Sequence, residues 1–252
     1  MELRARILDC GVVREATLTI GRATLLIGPN GAGKTTILRA LAGVKRCKCT
    51  LDYNGLDLCK LPPWERRIGY VPQTLALFHH MTVYDNIAYG LRARGLDERE
   101  TRETVLRLAR LVGVEHLLER RAWSLSSGEA SRVALARALA IKPRLLLVDE
   151  ALDHIDPGTR AQLLRAIREA MEENETRIIL VTHHIADAIT TLQPDTIIVL
   201  EKGRVAYNGP PAPNTIPPSL QDTLGHITIE EGKLQYHSPT GIKTEIKTNK
   251  TL

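Results

Sequence analysis

The sequence has no apolar run long enough to cross a membrane and no apolar leader at its start. Runs such as residues 145–148 and 178–181 are far shorter than the roughly 20 apolar residues that a membrane helix requires. The first six residues, Met-Glu-Leu-Arg-Ala-Arg, lack the apolar stretch and small-residue cleavage site of a secretory signal. We therefore expect a protein that stays in the cytoplasm.

Cysteine is scarce, with 4 residues in a chain of 252. They stand at positions 10, 47, 49 and 59. Because the cytoplasm keeps thiols reduced, we expect all of them to be free thiols. The alternative is that Cys47, Cys49 and Cys59 contribute to a metal site, although no fourth ligand is evident.

Aromatic residues are also few, at 4% of the chain, whereas the hydrophobic content of 43% is ordinary for a globular protein. The chain is long enough to bury its core as one large domain or two small ones. A net charge of +5 permits a nucleic acid, an anionic membrane surface, or merely a well-solvated basic surface. Charge alone does not choose among these.

The most informative stretch is residues 28–35, which read Gly-Pro-Asn-Gly-Ala-Gly-Lys-Thr. It lies between an apolar strand at 23–27 and a segment with helical apolar spacing at 36–42, which is the context of a phosphate-binding loop rather than of a chance glycine-rich turn. Glycines let the backbone amides turn inward, where they and the helix N-terminus bind phosphates. Lys34 adds a positive charge, and the Thr35 hydroxyl can ligate Mg²⁺. The predicted nucleotide contacts are Gly28, Pro29, Asn30, Gly31, Ala32, Gly33, Lys34, Thr35 and Thr36.

Strands alternate with helices on both sides of a helix-rich stretch at residues 85–142. Apolar residues spaced by three and four predict helices there. The pattern therefore predicts an α/β protein, a parallel nucleotide-binding sheet with an inserted helical block. The predicted helices are 86–91, 100–112, 129–140 and 157–171; the predicted strands are 68–71, 145–148, 178–182 and a hairpin of 197–200 with 205–207.

The C-terminal segment begins with a proline-rich stretch. Between Pro210 and Pro218, 5 of 9 residues are proline, which removes backbone donors and indicates a linker. Beyond it, residues 227–231 and 233–236 can pair as a hairpin. The sequence does not indicate what this tail does.

Two carboxylates, Asp149 and Glu150, follow the apolar residues 145–148. The carboxyl ends of buried strands are where open α/β sheets present their ligand-binding groups. Asp149 can hold Mg²⁺, and Glu150 can polarise an attacking water. An apolar run followed by Asp-Glu is common, so the pair gains its meaning from the phosphate loop that precedes it.

Residues 125–129, Leu-Ser-Ser-Gly-Glu, followed by Ala-Ser-Arg-Val-Ala-Leu-Ala-Arg-Ala-Leu, closely resemble the signature of ATP-binding cassette (ABC) ATPases. The order of motifs is also similar: phosphate loop, Gln73, helical insert, signature, carboxylate pair, a loop at 153–156, then His183. The resemblance covers residues from about 15 to 209. By itself, Ser-Ser-Gly is more often a simple helix cap.

The resemblance implies the P-loop NTPase (RecA-like) fold with an antiparallel β subdomain and an inserted α-helical subdomain. It implies an ATPase domain over 1–209, with a core of 1–84 and 143–209 and a helical signature subdomain at 85–142, and a linker and tail over 210–252. It also implies ATP and Mg²⁺ as cofactors and a head-to-tail homodimer, or paired ATPase subunits. In that dimer the signature of one copy would contact the γ-phosphate held by the other. The implied catalytic residues are Glu150, His183, Gln73 and Lys34; the metal ligands are Thr35, Gln73 and Asp149; further nucleotide contacts are Ser126, Ser127, Gly128, Glu129 and Asp156.

The sequence departs from the family pattern at several positions. Glu129 stands where glutamine is commonest, and residues 153–156 read Asp-His-Ile-Asp in place of Ser-Ala-Leu-Asp, which puts communication between the two ATP sites in doubt. No Tyr or Phe precedes the phosphate loop to stack on adenine, so Cys10, Val12 or Val13 is left to make an apolar contact. We predict weak discrimination between adenine and other bases.

Residues 70–91 resemble the corresponding stretch of import ATPases for oxyanions such as molybdate, tungstate and sulfate, and for polyamines. The resemblance implies a transmembrane permease as partner and, through it, an extracellular solute-binding protein, at the cytoplasmic face of the membrane. Leu77, Phe78, Met81 and Tyr84 either form a groove for the permease or pack the helical block. A soluble ABC ATPase that binds nucleic acid is the rival class, but the coiled-coil insertion or duplicated cassette typical of that class is missing, so no nucleic acid is expected.

Overall fold

The computed structural model describes residues 3–213, 215–230 and 233–247. The described residues form two compact units, one within residues 1–66 and 177–252 and the other within residues 67–176. The strands are β1 (Leu3–Cys10), β2 (Val13–Ile20), β3 (Ala23–Ile27), β4 (Lys48–Tyr53), β5 (Leu56–Asp57), β6 (Ile68–Val71), β7 (Leu145–Asp149), β8 (Arg177–Val181), β9 (Thr196–Glu201), β10 (Arg204–Gly209), β11 (His226–Glu230), β12 (Lys233–His237) and β13 (Lys243–Ile246). The α-helices are α1 (Lys34–Ala42), α2 (Val83–Arg92), α3 (Glu98–Val112), α4 (Ser127–Ala140), α5 (Pro157–Asn174), α6 (Ile185–Leu192) and α7 (Pro218–Leu224).

An antiparallel sheet with the order β2-β1-β4-β5 forms one part of the first unit. Along β1, buried and exposed residues alternate, as expected for a strand with one face on the core. β1 pairs with β2 through a two-residue connection at residues 11–12, and with β4 on its other side. Strands β1 and β2 lie ahead of the phosphate loop and were not predicted from the sequence.

The expectation of free thiols is wrong. Cys10 is disulfide-bonded to Cys47, and Cys49 to Cys59, with Cα–Cα distances of 5.3 and 6.0 Å. For Cys10 and Cys47 the physical reason is the pairing of β1 with β4, which sets Leu8 opposite Lys48 and so brings the end of β1 beside the start of β4. For Cys49 and Cys59 it is the packing of the helical turn at residues 58–60 against β4. Both Cα separations lie within the range that a disulfide can bridge. The expectation used only the usual redox state of the cytoplasm, a rule to which intracellular proteins of hyperthermophiles are an exception.

The other sheet of the first unit has β3 at its centre. β3 is parallel to both β8 and β9, and β9 forms an antiparallel hairpin with β10, which confirms the predicted hairpin. All five residues of β3 are buried, as expected for a strand covered on both faces. α1 follows β3 directly after the phosphate loop.

The C-terminal segment folds as a helix and a small sheet within the same unit. β11 pairs with β12, as predicted, and β12 with β13, all antiparallel; Glu231, which the expected hairpin included, lies outside the described residues. Tyr236 is 2% exposed, and its hydroxyl donates a hydrogen bond of 2.8 Å to the carbonyl of Leu224. β13 packs against α6.

The second unit combines the parallel pair β6–β7 with α2 to α5. All residues of β7 are buried, whereas α2 and α3 are amphipathic, with one apolar face packed inward. The N-terminal ends of α2, α3, α4 and α5 are each capped by a side chain, from Thr82, Asp97, Ser126 and Asp156. These caps bond N–H groups that have no partner within the helix. The predicted division into domains at residues 85–142 and 210 stays a prediction.

Candidate functional site

The phosphate loop connects the end of β3 to the start of α1, in the first unit. Gly28, Gly31 and Gly33 all have positive φ angles, of 156°, 78° and 107°. A Cβ on Gly28 would lie 2.4 Å from the carbonyl O of Leu200, so the loop passes too close to β9 for any side chain there. The loop is further held by a 3.1 Å hydrogen bond from the N–H of Gly203 to the carbonyl of Ala32.

Lys34 is the first residue of α1 and is 7% exposed. Its Nζ donates to the carbonyl O atoms of Gly28 at 2.8 Å and Pro29 at 3.2 Å. The ammonium group therefore lies inside the curve of the loop, at the N-terminal end of the helix, where positive charge and backbone N–H groups together favour an anion. Thr35 follows it in the first turn of the same helix.

The turn between β1 and β2 lies against the phosphate loop. A Cβ on Gly33 would be 3.2 Å from Cγ2 of Val12 and 2.6 Å from Cγ2 of Val13. Val12 is 56% exposed, whereas Val13 and the disulfide-bonded Cys10 are buried. Of the three apolar candidates for a base contact, only Val12 presents its side chain to solvent.

His183 follows β8 and is exposed. It stands between Thr182 and α6, which begins at Ile185. The neighbouring backbone is fixed by a 3.0 Å hydrogen bond from the N–H of His184 to the Thr182 hydroxyl. The imidazole therefore stands in a short connection between two well-packed elements of the first unit.

Asp149 and Glu150 lie at the carboxyl end of β7, in the second unit. Asp149 is 2% exposed, and its Oδ2 accepts a hydrogen bond of 3.0 Å from the hydroxyl of Tyr70 on β6. Glu150 has a φ of 54°, a left-handed conformation that costs a residue with a side chain on the order of 1–3 kcal/mol. Backbone strain of this kind is concentrated at functional sites, where the surrounding structure enforces it.

The signature turn (residues 126–129) begins α4. The N–H of Glu129 donates to Oγ of Ser126 at 3.3 Å, and the N–H of Ser126 donates to Oε2 of Glu129 at 2.7 Å, a reciprocal capping box. The Ser126 hydroxyl is an acceptor in this arrangement, so its proton remains able to donate. Hydrogen bonds from the Ser126 backbone and side chain, with a smaller effect of Arg120, lower the pKa of Glu129. Ser127 and Gly128 complete the first turn of the helix.

Gln73 is exposed and begins a loop (the Gln73 loop, residues 73–77) that Arg137 of α4 holds. Arg137 donates to the carbonyls of Leu75 at 2.8 Å and Ala76 at 2.7 Å, two residues with positive φ. Its guanidinium carbon also lies 5.5 Å from the centre of the Phe78 ring, within range of a cation–π interaction. Burial lowers the pKa of Arg137.

The four apolar residues after Gln73 differ in burial. Leu77 is 7% exposed and packs inward, whereas Phe78, Met81 and Tyr84 are half-buried. The Phe78 ring contacts that of Tyr89, with centroids 4.6 Å apart.

The loop at residues 153–156 leads into α5. Asp156 is the N-cap of that helix, and the N–H of Thr159 donates to its Oδ1 at 2.9 Å. Hydrogen bonds from Thr159, first from its backbone, lower the pKa of Asp156. His154 is exposed on this loop.

Three further residues of the second unit were not assigned from the sequence. Tyr70 holds Asp149, and Arg137 holds the Gln73 loop. Trp123 stands three residues before Ser126 and is 69% exposed, while its N–H donates to the carbonyl of His79. Trp123 could have been noted in the sequence, because a large aromatic residue stands close to the signature, whereas the partners of Tyr70 and Arg137 depend on tertiary contacts.

The side chains expected to bind Mg²⁺ carry oxygen ligands, the kind that Mg²⁺ prefers. In the first unit Thr35 offers a hydroxyl. In the second unit Asp149 offers a carboxylate and Gln73 an amide oxygen. No group of three or more His, Cys, Asp or Glu side chains that could hold a metal is found among the described residues. Mg²⁺ is commonly bound by one or two carboxylates together with substrate phosphates, so it needs no such group. Within the described ranges, no helix is long and apolar enough to cross a membrane.

The fold and these motifs define the class as an α/β P-loop NTPase. A solved ATP-binding subunit of an ABC transporter superposes with a TM-score of 0.73 at 27% identity, over 83% of this chain and 90% of that one. A family model described as ABC transporter matches residues 14–153. The chain belongs to the ABC transporter family and is an ATPase of that family.

Two curated relatives are similar to most of this chain. The molybdate/tungstate import ATP-binding protein WtpC of Archaeoglobus fulgidus is 45% identical over 186 residues, which cover 73% of this chain and 76% of that protein. The sulfate/thiosulfate import ATP-binding protein CysA 2 of Shewanella oneidensis is 37% identical over 230 residues, 88% of this chain and 64% of that protein. The chain therefore spans about two thirds to three quarters of the length of these relatives.

Proposed function

We propose that this chain is the ATP-hydrolysing subunit of an importer, in which two copies pair around ATP and drive a solute through a membrane permease. The observation that carries the proposal is the phosphate loop, with Lys34 lying inside its curve and three glycines at positive φ. The similarity of the chain to import ATP-binding proteins supports the transport role.

In the proposed reaction, the loop N–H groups and Lys34 bind the β- and γ-phosphates. Thr35, Asp149 and Gln73 would hold Mg²⁺, which neutralises charge that develops on the phosphates during transfer. Glu150 accepts a proton from the attacking water or orients it. His183 donates a hydrogen bond to the γ-phosphate.

The pairing is head to tail. Ser126, Ser127 and Gly128 of one copy donate to the γ-phosphate held by the other, because a helix N-terminus with hydroxyl and amide donors attracts an anion. Asp156 lies in the loop that faces the second copy. ATP binding closes the pair, and hydrolysis opens it.

The partner is a transmembrane permease at the cytoplasmic face of the membrane, supplied from outside by a solute-binding protein. The half-buried Phe78, Met81 and Tyr84 would receive a short helix of that permease. Arg137 of α4 holds the Gln73 loop, which directly precedes Phe78. A displacement of residues 78–84 by the permease would therefore be transmitted to the signature helix.

For the solute we propose an inorganic oxyanion such as molybdate or tungstate. The support is the 45% identity with a molybdate/tungstate import protein, although sulfate/thiosulfate import proteins are similar too. In this proposal the ATPase subunit does not contact the solute, so its own residues do not determine which solute is transported.

Two experiments test the proposal. The Glu150→Gln variant keeps the shape of the side chain and removes its basicity, so with ATP it should accumulate as an ATP-bound dimer in sedimentation or scattering measurements. A Glu169→Gln variant, on the exposed face of α5, is the control and should turn over ATP as the wild type does. A Glu150→Gln protein that stays monomeric with ATP, alone and with its permease, would overturn the pairing.

The second experiment concerns the solute. The membrane protein that co-purifies with the chain is reconstituted with its solute-binding protein, and ATP turnover is measured with molybdate, tungstate, sulfate and spermidine in turn. Stimulation by molybdate or tungstate supports the proposal. Stimulation by sulfate or spermidine alone would reassign the solute, and the absence of any co-purifying membrane protein would count against transport.

A further inference from the structure

The signature helix α4 is hydrogen-bonded to the segment that carries Glu150. Ser131, on α4, is 3% exposed, and its hydroxyl donates to the carbonyl O of Ala151 at 3.1 Å. Ala151 directly follows Glu150 and is itself 5% exposed. Because no water can replace a lost partner at a buried site, this bond holds α4 at a fixed distance from the residue after Glu150.

Arg132 makes a second connection from the same turn of α4. It donates to Oε1 of Gln162 at 2.7 Å and to Oγ1 of Thr159 at 3.0 Å, both on α5. It also donates to the carbonyl of Val112 at 2.8 Å, at the end of α3. A planar guanidinium with acceptors in three places resists rotation of α4 against its neighbours.

The loop between Glu150 and α5 is held from both ends. Thr159, which Arg132 contacts, also donates its N–H to Asp156. Arg160 is 6% exposed and donates to the carbonyl of Ile155 at 3.1 Å. The N–H of Asp153 donates to the carbonyl of Glu150 at 3.2 Å. A shift of α4 therefore reaches residues 150–156 through hydrogen bonds at both ends.

We propose that Ser131 and Arg132 are positioning residues that couple the two ATP sites of the dimer. The inference rests on the proposed function, in which the signature turn of a chain acts on the ATP of its partner whereas Glu150 acts on the ATP of its own chain. Residues 126–129 and residues 149–156 of one chain thus serve different ATP molecules. The bonds of Ser131 and Arg132 connect these two parts directly.

The consequence is a mechanical link that does not depend on the loop at 153–156 alone. That loop departs from the family pattern at Asp153, His154 and Ile155, which puts its role in communication in doubt. When the signature turn closes on the γ-phosphate of one site, α4 moves as a rigid helix and carries Ala151 with it. Glu150 at the other site then reaches its working position, which makes hydrolysis cooperative.

The test is the Ser131→Ala variant, which removes the bond to Ala151 without adding bulk. We expect the Hill coefficient for ATP turnover to fall toward 1 and kcat to fall about fivefold, while ATP binding to the single subunit stays within about twofold of the wild type. The matched control is Thr176→Val, because Thr176 is 1% exposed and its hydroxyl donates to the carbonyl of Pro143 at 2.8 Å. That control loses the same type of buried bond outside residues 126–132 and 149–156, and it should keep the wild-type Hill coefficient.

Several outcomes contradict the coupling. One is a Ser131→Ala variant with the Hill coefficient and kcat of the wild type; another is an equal loss in Thr176→Val, which would indicate general destabilisation. A wild-type dimer with a Hill coefficient of 1 would also overturn it. If Ser131→Ala does not fold, the same two quantities are measured in Arg132→Lys, which loses the planar guanidinium and should show the same changes.

Failure of the coupling and failure of the proposed function are distinguishable. If Glu150→Gln does not form an ATP-bound dimer, the proposed function fails first. If that dimer forms and wild-type turnover is cooperative, a Ser131→Ala variant with the wild-type Hill coefficient and kcat overturns only the coupling.

Discussion

The hydroxyl of Tyr70 donates a hydrogen bond of 3.0 Å to Oδ2 of Asp149. The bond joins the neighbouring parallel strands β6 and β7, on which Tyr70 pairs with Leu147 in register. It orients the carboxylate that we expect to hold Mg²⁺, and groups that orient a metal ligand commonly matter as much as the ligand does.

Replacing Tyr70 with Phe should therefore weaken Mg²⁺-dependent turnover. The variant leaves one oxygen of a buried carboxylate without this donor, and we expect kcat/KM to fall roughly tenfold, with a higher Mg²⁺ concentration needed for half-maximal rate. Steady-state ATPase assays over a Mg²⁺ titration measure this. Tyr89→Phe is the control, because the Tyr89 ring is 49% exposed; an unchanged Mg²⁺ dependence in Tyr70→Phe would show that the bond does not act on the metal.

The sequence predicted the phosphate loop, the carboxylates and the signature because each is a short motif whose chemistry is local. Gly28, Lys34 and Ser126 need only their neighbours in the chain to form a turn or a cap. Tyr70, Ser131 and Arg137 could not be assigned in this way, since their partners lie 79, 20 and up to 62 residues away. Strand pairing and helix packing create those contacts, and no local pattern encodes them.

The disulfides illustrate the same limit. Cys10 and Cys47 are separated by 37 residues, and only the register of β1 against β4 shows that they meet. The helices between residues 83 and 140 were found more easily, because their apolar spacing of three and four is itself the signal.

The exposed side chain of Val12, next to Gly33 of the phosphate loop, predicts weak selection for adenine. Aromatic stacking would add about 0.5–1.5 kcal/mol, and a valine does not supply it. We expect GTP turnover within roughly tenfold of ATP turnover, and a Val12→Tyr variant that favours ATP more strongly. Leu56→Tyr, at another exposed position of the first unit, should leave the ratio unchanged. Strong adenine preference in the wild type would show that another group recognises the base.

The left-handed backbone of Glu150, with φ of 54°, predicts an unusual order of stability among its variants. In ordinary helix or strand positions glycine is less stable than alanine by roughly 0.5–1 kcal/mol. At residue 150 the glycine variant should equal or exceed the alanine variant in the free energy of unfolding, because glycine adopts positive φ without a steric cost. Both variants should lose ATP hydrolysis.

Glu169, on the exposed face of α5, provides the comparison for that backbone effect. At residue 169 the glycine variant should have a free energy of unfolding roughly 0.5–1 kcal/mol lower than that of the alanine variant. Chemical denaturation of all four variants measures the two differences. If glycine is the less stable residue at both positions, residue 150 does not adopt the left-handed conformation.

The capping box at the start of α4 predicts a dependence of stability on pH. Hydrogen bonds from Ser126 lower the pKa of Glu129 in the folded state, so the carboxylate contributes stability that is fully present above the unfolded-state value of about 4.3. This contribution is lost as the pH falls through the lower folded-state pKa. Glu129→Gln keeps a side chain that can cap but removes the charge, so it should be less stable than the wild type at pH 7 and approach it in acid. Thermal unfolding of both proteins at pH 7, 5 and 3.5 measures the difference in their stability. A difference that grows as the pH falls would contradict the prediction.

The two disulfides predict that reduction destabilises the folded chain. They close loops with sequence separations of 37 and 10 residues, for which the loss of loop-closure entropy in the unfolded chain gives about 4 and about 3 kcal/mol. The free energy of unfolding should therefore fall by several kcal/mol in dithiothreitol. The double variant Cys10→Ser/Cys47→Ser should reproduce the larger part of that loss.

Thiol titration provides the direct check on this last prediction. Without a reductant, the unfolded wild-type protein should react with no thiol reagent, and after reduction it should react at four positions. The double serine variant should expose two thiols after reduction and none before it. Four reactive thiols in the unreduced wild type would show that the bonds do not form in the purified protein, and the destabilisation by dithiothreitol should then be absent as well.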